Sequence, residues 1–366
     1  MIDRRAFLLA PALALAHCRR RKSAGFYGYA FVANEEGQAI AAVDLTTFTV
    51  ARHIRLEGNP TAVLAHPSAV YALTPNTGTV HEIGVADLSF RRKIQVARSA
   101  VSMRLAPDGA ALWVLCREPK RLVRLALDTF RSEAHLNLPL EPVDFDIAPA
   151  GQWAAVSFGA AGALAFADLA GRRAERPVSL GKSVSTLRFR SDGKQLLAAN
   201  TSERMLSILE APTGRLIVHL PLAVRPENFC FKSDGGQLFV TGEGMDAVVV
   251  VYPYSTEIAE TVLAGKGPGA MAASDAYLFV ANPPSGDVTI LDIETRRAIA
   301  VVAAGGGPGF ITVTPDDQYA LVLNPQSGSM AVIRVDTIKA TRTKSASLFT
   351  MIPVGSKPVS AAVRRV

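Results

Sequence analysis

The sequence predicts an all-β protein that forms a single closed β-propeller of eight four-stranded blades, with seven blades as the alternative. Three observations support this fold class. The stretch LFVAN at residues 278–282 returns as ALVLN at residues 320–324, an interval of 42 residues. Each repeat holds four short apolar runs, and no helical periodicity competes with them.

The four runs of the clearest repeat cover residues 278–282, 287–293, 298–303 and 310–314. Each has the length of a strand, and each is rich in β-branched residues or bounded by Gly, Pro, Asn or Asp. The segments between the runs carry turn residues, such as Pro283 to Gly286 and Gly305 to Pro308. A four-stranded unit repeated about every 40–50 residues is typical of a propeller blade.

The same position can be followed along the whole chain in steps of 40 to 42 residues, which predicts eight blades. It falls at Asn34, Pro75, Cys116, Phe158, Asn200, Gly242, Asn282 and Asn324. A Pro-Asp-Gly type of turn precedes several of these strands, as at Pro107, Asp108 and Gly109. We expect the recurrent Asn to make an Asx-type turn bond with a structural role.

The units resemble the YVTN β-propeller repeat family, whose repeat combines a V-x-N strand end, a D-x-x-T segment, a G-x-x-P turn and a P-D-G turn. The residues that carry the resemblance are 280–282, 292–295, 305–308 and 315–317. The resemblance covers about residues 27 to 366. It implies a propeller and a tendency to be exported, but no particular activity.

We expect the ring to close by pairing of its two ends. Residues 26–34, 39–44 and 51–56 supply three strands of the first blade, and residues 61–65 already read as the inner strand of the next. Residues 358–363 would therefore supply the missing inner strand beside residues 29–34. This pairing would remove two exposed sheet edges.

The first 23 residues read as an export signal and tether, and residues 24–366 as the propeller domain. Arg4 and Arg5, followed by an apolar run, resemble a twin-arginine signal. The Leu-Ala-His-Cys sequence that ends at Cys18 resembles a lipobox, although His17 departs from the usual small residue. We expect a lipoprotein lipidated at Cys18, in the periplasm or at the outer membrane. Cleavage after an Ala-Leu-Ala sequence, giving a soluble exported protein, is the alternative.

The net charge of +7 does not indicate a nucleic-acid protein, because the leader holds six basic residues against Asp3 and the remainder carries only +2. We expect no membrane contact other than the lipid anchor, and a monomer. Cys116 and Cys230 lie far apart along the ring, so they should be unpaired, buried thiols. A segment with Lys339, Arg342 and Lys344 reads as a surface loop, or as a basic contact site.

No motif for covalent haem, zinc, a phosphate loop or a nucleophilic serine is present, and we expect neither a metal nor a cofactor. The loops that connect each outer strand to the next inner strand are the candidate ligand-binding elements. The densest polar group among them is Arg225, Glu227 and Asn228. A solvated loop is the alternative reading.

The inner strands also place Arg104, Asp146 and Arg188 in one column across three successive blades. Strand alternation sends this column toward the central channel and its apolar neighbours between the blades. We expect an Arg–Asp–Arg ladder in which the pKa of Asp146 is lowered. It would serve either as a blade-to-blade ion pair or as an attractor for an anionic ligand.

Three classes of function remain open. The first, which we favour, is a non-enzymatic binding or interaction scaffold of the cell envelope, with an envelope protein or a small anionic ligand as its partner. The second is a lactonase-type hydrolase with its site at the channel, for which only Arg225 and Glu227 are available. The third is an accessory subunit of an envelope redox enzyme.

Overall fold

The computed structural model describes residues 25–338 and 348–366, and these residues form eight antiparallel sheets arranged as the eight blades of a propeller. The prediction of eight four-stranded blades is confirmed. The leader with Cys18, and the basic residues Lys339, Arg342 and Lys344, lie outside the described residues. The boundary between a tether and the propeller therefore stays a prediction.

The strands of the first half of the ring alternate with tight turns and one 3₁₀ turn, at Pro75–Thr77. They are β1 (Gly28–Asn34), β2 (Ala39–Asp44), β3 (Thr49–Arg55), β4 (Ala62–Ala65), β5 (Ala69–Thr74), β6 (Thr79–Gly84), β7 (Phe90–Gln95), β8 (Ser99–Leu105), β9 (Ala111–Glu118), β10 (Arg121–Ala126), β11 (Arg131–Asn137), β12 (Asp144–Ile147), β13 (Trp153–Ser157), β14 (Ala163–Asp168), β15 (Arg173–Ala174) and β16 (Val178–Ser179).

The second half continues in the same way and includes a 3₁₀ turn at Val335–Thr337. Its strands are β17 (Val184–Phe189), β18 (Gln195–Asn200), β19 (Met205–Glu210), β20 (Leu216–Pro221), β21 (Asn228–Phe231), β22 (Leu238–Thr241), β23 (Ala247–Tyr252), β24 (Glu257–Leu263), β25 (Met271–Ala273), β26 (Tyr277–Asn282), β27 (Asp287–Asp292), β28 (Arg297–Ala303), β29 (Phe310–Val313), β30 (Tyr319–Asn324), β31 (Ser329–Arg334), β32 (Leu348–Pro353) and β33 (Pro358–Arg365).

The first blade takes its inner strand from the C-terminal end of the chain, as predicted. Strand β33 pairs antiparallel with β1, from Gly28 opposite Arg365 to Asn34 opposite Pro358. The sheet order is β3-β2-β1-β33, while every other blade is built from consecutive strands. This pairing satisfies backbone groups at both ends of the ring that would otherwise be free sheet edges.

Counted outward from the channel, each blade has an inner, a second, a third and an outer strand. In seven blades the pairing between the third and the outer strand shifts register at the same position of the third strand. The shift follows Ala42, Glu82, Arg124, Ile208, Val250, Ile290 or Val332. A bulge of this kind bends and twists the outer strand. We number the blades along the chain, so that blade 1 contains β1, blade 2 contains β4–β7 and blade 3 contains β8–β11. Blade 4 (β12–β16) differs, because its outer edge is split into β15 and β16, which both pair with β14. Pro177, which has no N–H to donate, lies between them.

The core consists of apolar layers between neighbouring blades. Each layer combines residues of one blade with those of the next, as in the cluster that contains Leu115 of β9, Phe145 of β12 and Val156 of β13. Valine, isoleucine, leucine and alanine dominate these positions. The β-branched side chains of valine and isoleucine pack well on a pleated sheet. Cys116 and Cys230 are both unpaired, as predicted; Cys116 is buried, whereas Cys230 is only partly buried. Desolvation raises the pKa of each thiol to about 12.

The recurrent Asn fastens a loop instead of forming the Asx turn that we expected. The side-chain amides of Asn34, Asn200 and Asn324 donate to Val354, Leu180 and Ala304 carbonyls, each in the connection that enters the inner strand of the same blade. In contrast, Asn282 donates to Asp287 and Thr289. The structural role is as predicted, but the acceptor lies in another segment of the blade.

The Pro-Asp-Gly turns behave as their sequence predicts. The carboxylate of Asp108 accepts the amide of Ala110 at 2.9 Å, and Asp234 accepts the amide of Gly236 at 2.8 Å. Gly109 has a φ of 70°, a conformation that a residue with a Cβ atom adopts with difficulty. These turns all lie on one face of the ring, which we call the turn face.

The opposite face, which we call the loop face, carries the outer-to-inner connections and the turns between second and third strands. The two faces follow from the antiparallel order of each blade, because successive strands run in opposite directions. The backbone amide of Glu35, in a second-to-third-strand turn, donates to the carbonyl of Lys357, in an outer-to-inner connection. Arg225 and Glu227 therefore lie on the loop face.

Candidate functional site

On the inner strands β8, β12 and β17, a partly buried side chain follows a buried one. Met103, Phe145 and Leu187 are almost completely buried between blades. The intervening positions are only partly buried, which places them on the channel wall. This column contains Leu64, Arg104, Asp146, Arg188, Cys230, Ala272 and Thr312. The expected alternation is present on β12 and at residues 187–189 of β17, whereas every residue of β21 and β25 is partly buried.

The structure brings Arg104, Asp146 and Arg188 together, but the ladder needs a fourth member. Nε of Arg104 lies 3.7 Å from Oδ1 of Asp146. The guanidinium of Arg188 instead pairs with Asp144, with Nη1 2.6 Å from Oδ2. Asp144 also lies 3.5 Å from Nη2 of Arg104. The carboxylate that joins the two arginines is therefore Asp144.

Sequence reasoning missed Asp144 although a signal was present. Asp144 lies two residues before Asp146 on β12, so both side chains project from the same side of the strand. The two aspartates differ in what they contact on the next blade. Asp144 accepts the backbone amide of Leu187 at 3.2 Å, and Asp146 accepts that of Phe189 at 2.9 Å.

These contacts fasten three blades to one another. An inner strand leaves one row of backbone groups without a partner strand, and such groups need other partners when they are buried. The carboxylates of β12 accept amides of β17. From the other side, Nε of Arg104 on β8 donates to the carbonyl of Phe145 on β12 at 3.1 Å. The cluster thus supports the structural reading of the ladder.

The prediction that Asp146 has a lowered pKa is wrong. Burial raises the pKa of this carboxyl group above its ordinary value, and the opposing effects of Arg188 and Arg104 do not cancel it. Burial, followed by the charge of Arg188, lowers the pKa of Arg104. With Asp144 included, the cluster holds two arginines and two carboxyl groups. A role in attracting an anionic ligand stays a prediction.

The second predicted group, Arg225, Glu227 and Asn228, lies where the chain enters blade 6. Nη1 of Arg225 lies 3.5 Å from Oε2 of Glu243, across the loop face. Burial and the charge of Glu243 raise the pKa of Glu227, and Arg225 opposes this shift. Asn228 begins β21 and pairs with Thr241. The carbonyl of Glu227 accepts a hydrogen bond from Thr186 at 2.8 Å, so this group is adjacent to the blade of Arg188.

The loop face as a whole carries exposed ion pairs and exposed apolar side chains. The pairs link connections on the same or neighbouring blades: Lys357 with Glu35, Arg98 with Glu118, Arg117 with Glu141, and Arg225 with Glu243. Val143 is 41% exposed and Met245 is 42% exposed on this face. Exposed ion pairs add little to fold stability, so these charges remain available to a partner.

Within residues 25–338 and 348–366, no three or more His, Cys, Asp or Glu side chains are grouped so that they could hold a metal ion. In the same part of the chain, no helix has the length and apolarity to cross a membrane.

Several solved structures share this architecture. Dihydro-heme d1 dehydrogenase NirN in complex with DHE superposes with a TM-score of 0.73 at 15% identity, covering 96% of this chain and 78% of that one. Apo AztD from Citrobacter koseri gives 0.68 at 14% identity, covering 92% and 98%. Hydrazine synthase of Kuenenia stuttgartiensis gives 0.59 at 16% identity, covering 77% and 99%. The shared property is the β-propeller fold.

At these identities the similarity shows the fold alone and carries no activity to this chain. No protein-family model matches the sequence. No curated protein matches it either.

Proposed function

We propose that this chain is a non-catalytic binding propeller of the cell envelope that contacts a partner protein through its loop face. The observation that carries the proposal is the composition of that face. It combines exposed arginine and glutamate side chains with the exposed apolar side chains of Val143 and Met245. Apolar anchors among charged groups suit protein recognition, in which charge complementarity adds specificity and speeds association.

The leader supports a location in the cell envelope. Arg4 and Arg5 before an apolar run suggest export, and Cys18 suggests a lipid anchor in the periplasm or at the outer membrane. The resemblance of the repeats to the YVTN family agrees with an exported propeller. The ring itself would act as a monomeric, rigid scaffold.

The test is affinity purification from membranes, followed by mass spectrometry, with variants on each face. The test variant combines Arg225→Glu with Met245→Ser. The control is Glu294→Arg, an exposed position on the turn face. We expect a partner that is retained by the wild type and the control but lost from the loop-face variant. Equal capture by all three proteins would contradict the proposal.

The same experiment separates the other two function classes. If the captured partner is a redox enzyme that carries its own cofactor, the chain is an accessory subunit of that enzyme. Turnover of a sugar lactone by the isolated propeller, lost on Glu227→Gln, would instead overturn a non-catalytic role. Glu227 is the residue to change because burial raises its pKa, as a general acid requires.

A further inference from the structure

A cleft of about 700 Å³ lies between blades 2 and 3 and opens toward the turn face. It is separate from both the channel cluster and the loop face. Its walls come from the turn-face ends of both blades and from the third and outer strands. The charged and polar side chains that line it are His66, Tyr71, Glu82, Arg91, Arg92, Arg124, Asp128 and Glu133. The volume is in the range of small-molecule sites.

The repeat shows that two of these charges are exceptional. The bulge marks the same third-strand position in seven blades, and in five of them the residue is apolar and fully buried. These five are Ala42, Ile208, Val250, Ile290 and Val332. Blades 2 and 3 instead carry Glu82 and Arg124. The two exceptions lie in neighbouring blades and line the same cleft.

Placing charges at an apolar position of the repeat costs stability. The side chain of Glu82 is only 7% exposed, and removing a carboxylate from water is unfavourable unless it is paired. Glu82 is held by Arg92 at 2.8 Å and by Arg91 at 3.5 Å. A well-packed apolar residue would serve the fold at least as well. The charges therefore indicate a role other than stability.

Arg92 is occupied by the protein itself. Besides Glu82, it donates to the carbonyl of Leu127 at 3.0 Å, and its guanidinium lies 4.5 Å from the centre of the Phe130 ring. Arg91 and Arg124 are engaged less completely. Arg91 uses one terminal nitrogen, for Glu82 and the carbonyl of Ser68, and Arg124 uses one nitrogen for Glu133.

A guanidinium carries five N–H donors, so both Arg91 and Arg124 retain donors for a ligand. Both side chains are also partly exposed to the cleft. Bidentate recognition of a carboxylate or a phosphate is the geometry that such a group favours.

Tyr71 supplies a further donor group at the cleft. This residue is 2% exposed, lines the cleft and lies opposite Glu82 on the neighbouring strand. Among the described residues, its hydroxyl group has no hydrogen-bond partner, so it can donate to a molecule in the cleft. Burial and the charge of Glu82 raise the pKa of Tyr71 to about 12, so the hydroxyl stays protonated and can donate.

We propose that this cleft binds a small organic anion, whose carboxylate or phosphate group contacts Arg91 and Arg124 and accepts a hydrogen bond from Tyr71. Arg91 and Arg124 offer spare donors, and the buried carboxylate of Glu82 is already held by Arg91 and Arg92, which favours an anion at this end of the cleft. The proposal does not depend on the proposed partner of the loop face, because none of these residues lies on that face.

The test is isothermal titration calorimetry with two probes, inorganic phosphate and citrate. Arg124→Val places in blade 3 the residue that blades 6 and 8 carry at the same position. We expect it to keep or raise the melting temperature while weakening binding of the preferred probe at least tenfold. Tyr71→Phe should weaken binding about three- to tenfold, the effect of one hydrogen bond.

The matched control is Arg117→Val, which removes an exposed, ion-paired arginine from the loop face and should leave binding unchanged. The proposal is overturned if neither probe binds the wild type. It is also overturned if Arg124→Val binds as well as the wild type, or if Arg117→Val loses as much affinity as Arg124→Val. If Tyr71→Phe binds the probe as well as the wild type does, the hydroxyl group of Tyr71 does not contact the ligand.

Discussion

Replacing Asp144 with alanine should destabilise the propeller, because this carboxylate joins Arg104 on one side to Arg188 and β17 on the other. The change removes the 2.6 Å contact with Arg188, the 3.2 Å bond from the amide of Leu187 and the 3.5 Å contact with Arg104. Two arginines and a backbone amide then lose an acceptor on the channel wall. A donor left unsatisfied in a buried site costs more than the bond itself contributed.

The expected loss of stability is about 2–3 kcal/mol. Breaking a fully buried ion pair costs about 3–5 kcal/mol, but the Asp144 side chain is 17% exposed and water recovers part of that cost. For a chain of this length the unfolding entropy is large, so each kcal/mol lowers the melting temperature by about 1.5 °C. We therefore expect a decrease of about 3–5 °C.

Differential scanning calorimetry of the wild type, Asp144→Ala and a control measures this decrease. The control is Glu141→Ala, which removes an exposed carboxylate paired with Arg117 and should change stability by less than about 0.5 kcal/mol. A double-mutant cycle with Arg188→Ala isolates the energy of the pair. If the melting temperature of Asp144→Ala lies within about 1 °C of that of Glu141→Ala, Asp144 does not fasten adjacent blades.

Three further predictions concern pH, ring closure and the leader. Burial, then the charge of Lys93, lowers the pKa of His81 to about 4 from the ordinary 6.5. As the pH falls, His81 is therefore protonated in the unfolded chain at a higher pH than in the folded protein. The free energy of unfolding should fall by about 3 kcal/mol as the pH drops from 6.5 to 4. Urea titrations should show this slope in the wild type and not in His81→Gln. Deleting residues 359–366 exposes the edge of β1 and should cause aggregation, detected by light scattering; a soluble, folded product would contradict it. Cys18→Ser should move the protein from the membrane fraction to the soluble fraction, and a variant that stays in membranes would disprove lipidation.

The blade count was predictable because its determinants are local. The turn residues and the β-branched runs recur at nearly constant spacing, and each repeat specifies its own four strands. Ring closure followed from counting strands, since residues 26–34 lacked an inner neighbour and residues 358–363 lacked a blade of their own. Neither prediction required knowledge of side-chain contacts.

The contacts between blades were less predictable, because they depend on how one sheet is placed against the next. The column of Arg104, Asp146 and Arg188 follows from alternation along a strand. Which carboxylate reaches Arg188 depends on the offset between neighbouring inner strands, and the repeat period does not give this offset. The pKa of Asp146 was mispredicted for a related reason. Charges can be counted from the sequence, but the extent of desolvation cannot.

The cleft between blades 2 and 3 shows a signal that is missed when only the second strands of the blades, such as residues 278–282, are aligned. Glu82 and Arg124 become exceptional only when the third strands are compared with one another. The bulges of the structure mark this position in seven blades. A repeat protein of this kind is best searched for sites column by column, since each column supplies its own internal reference.

The antiparallel pairing of β1 with β33 also determines where the ends of the described chain emerge. Gly28 and Arg365 are opposite each other, and both lie at the turn-face edge of blade 1. An anchor placed before residue 25 would leave the ring on that side and direct the loop face outward, away from the attachment surface. A purification tag after Val366 would emerge on the same side. Neither attachment would then obstruct a partner of the loop face. A bulky fusion at either end would instead lie on the turn face, to which the cleft of Glu82 and Arg124 opens.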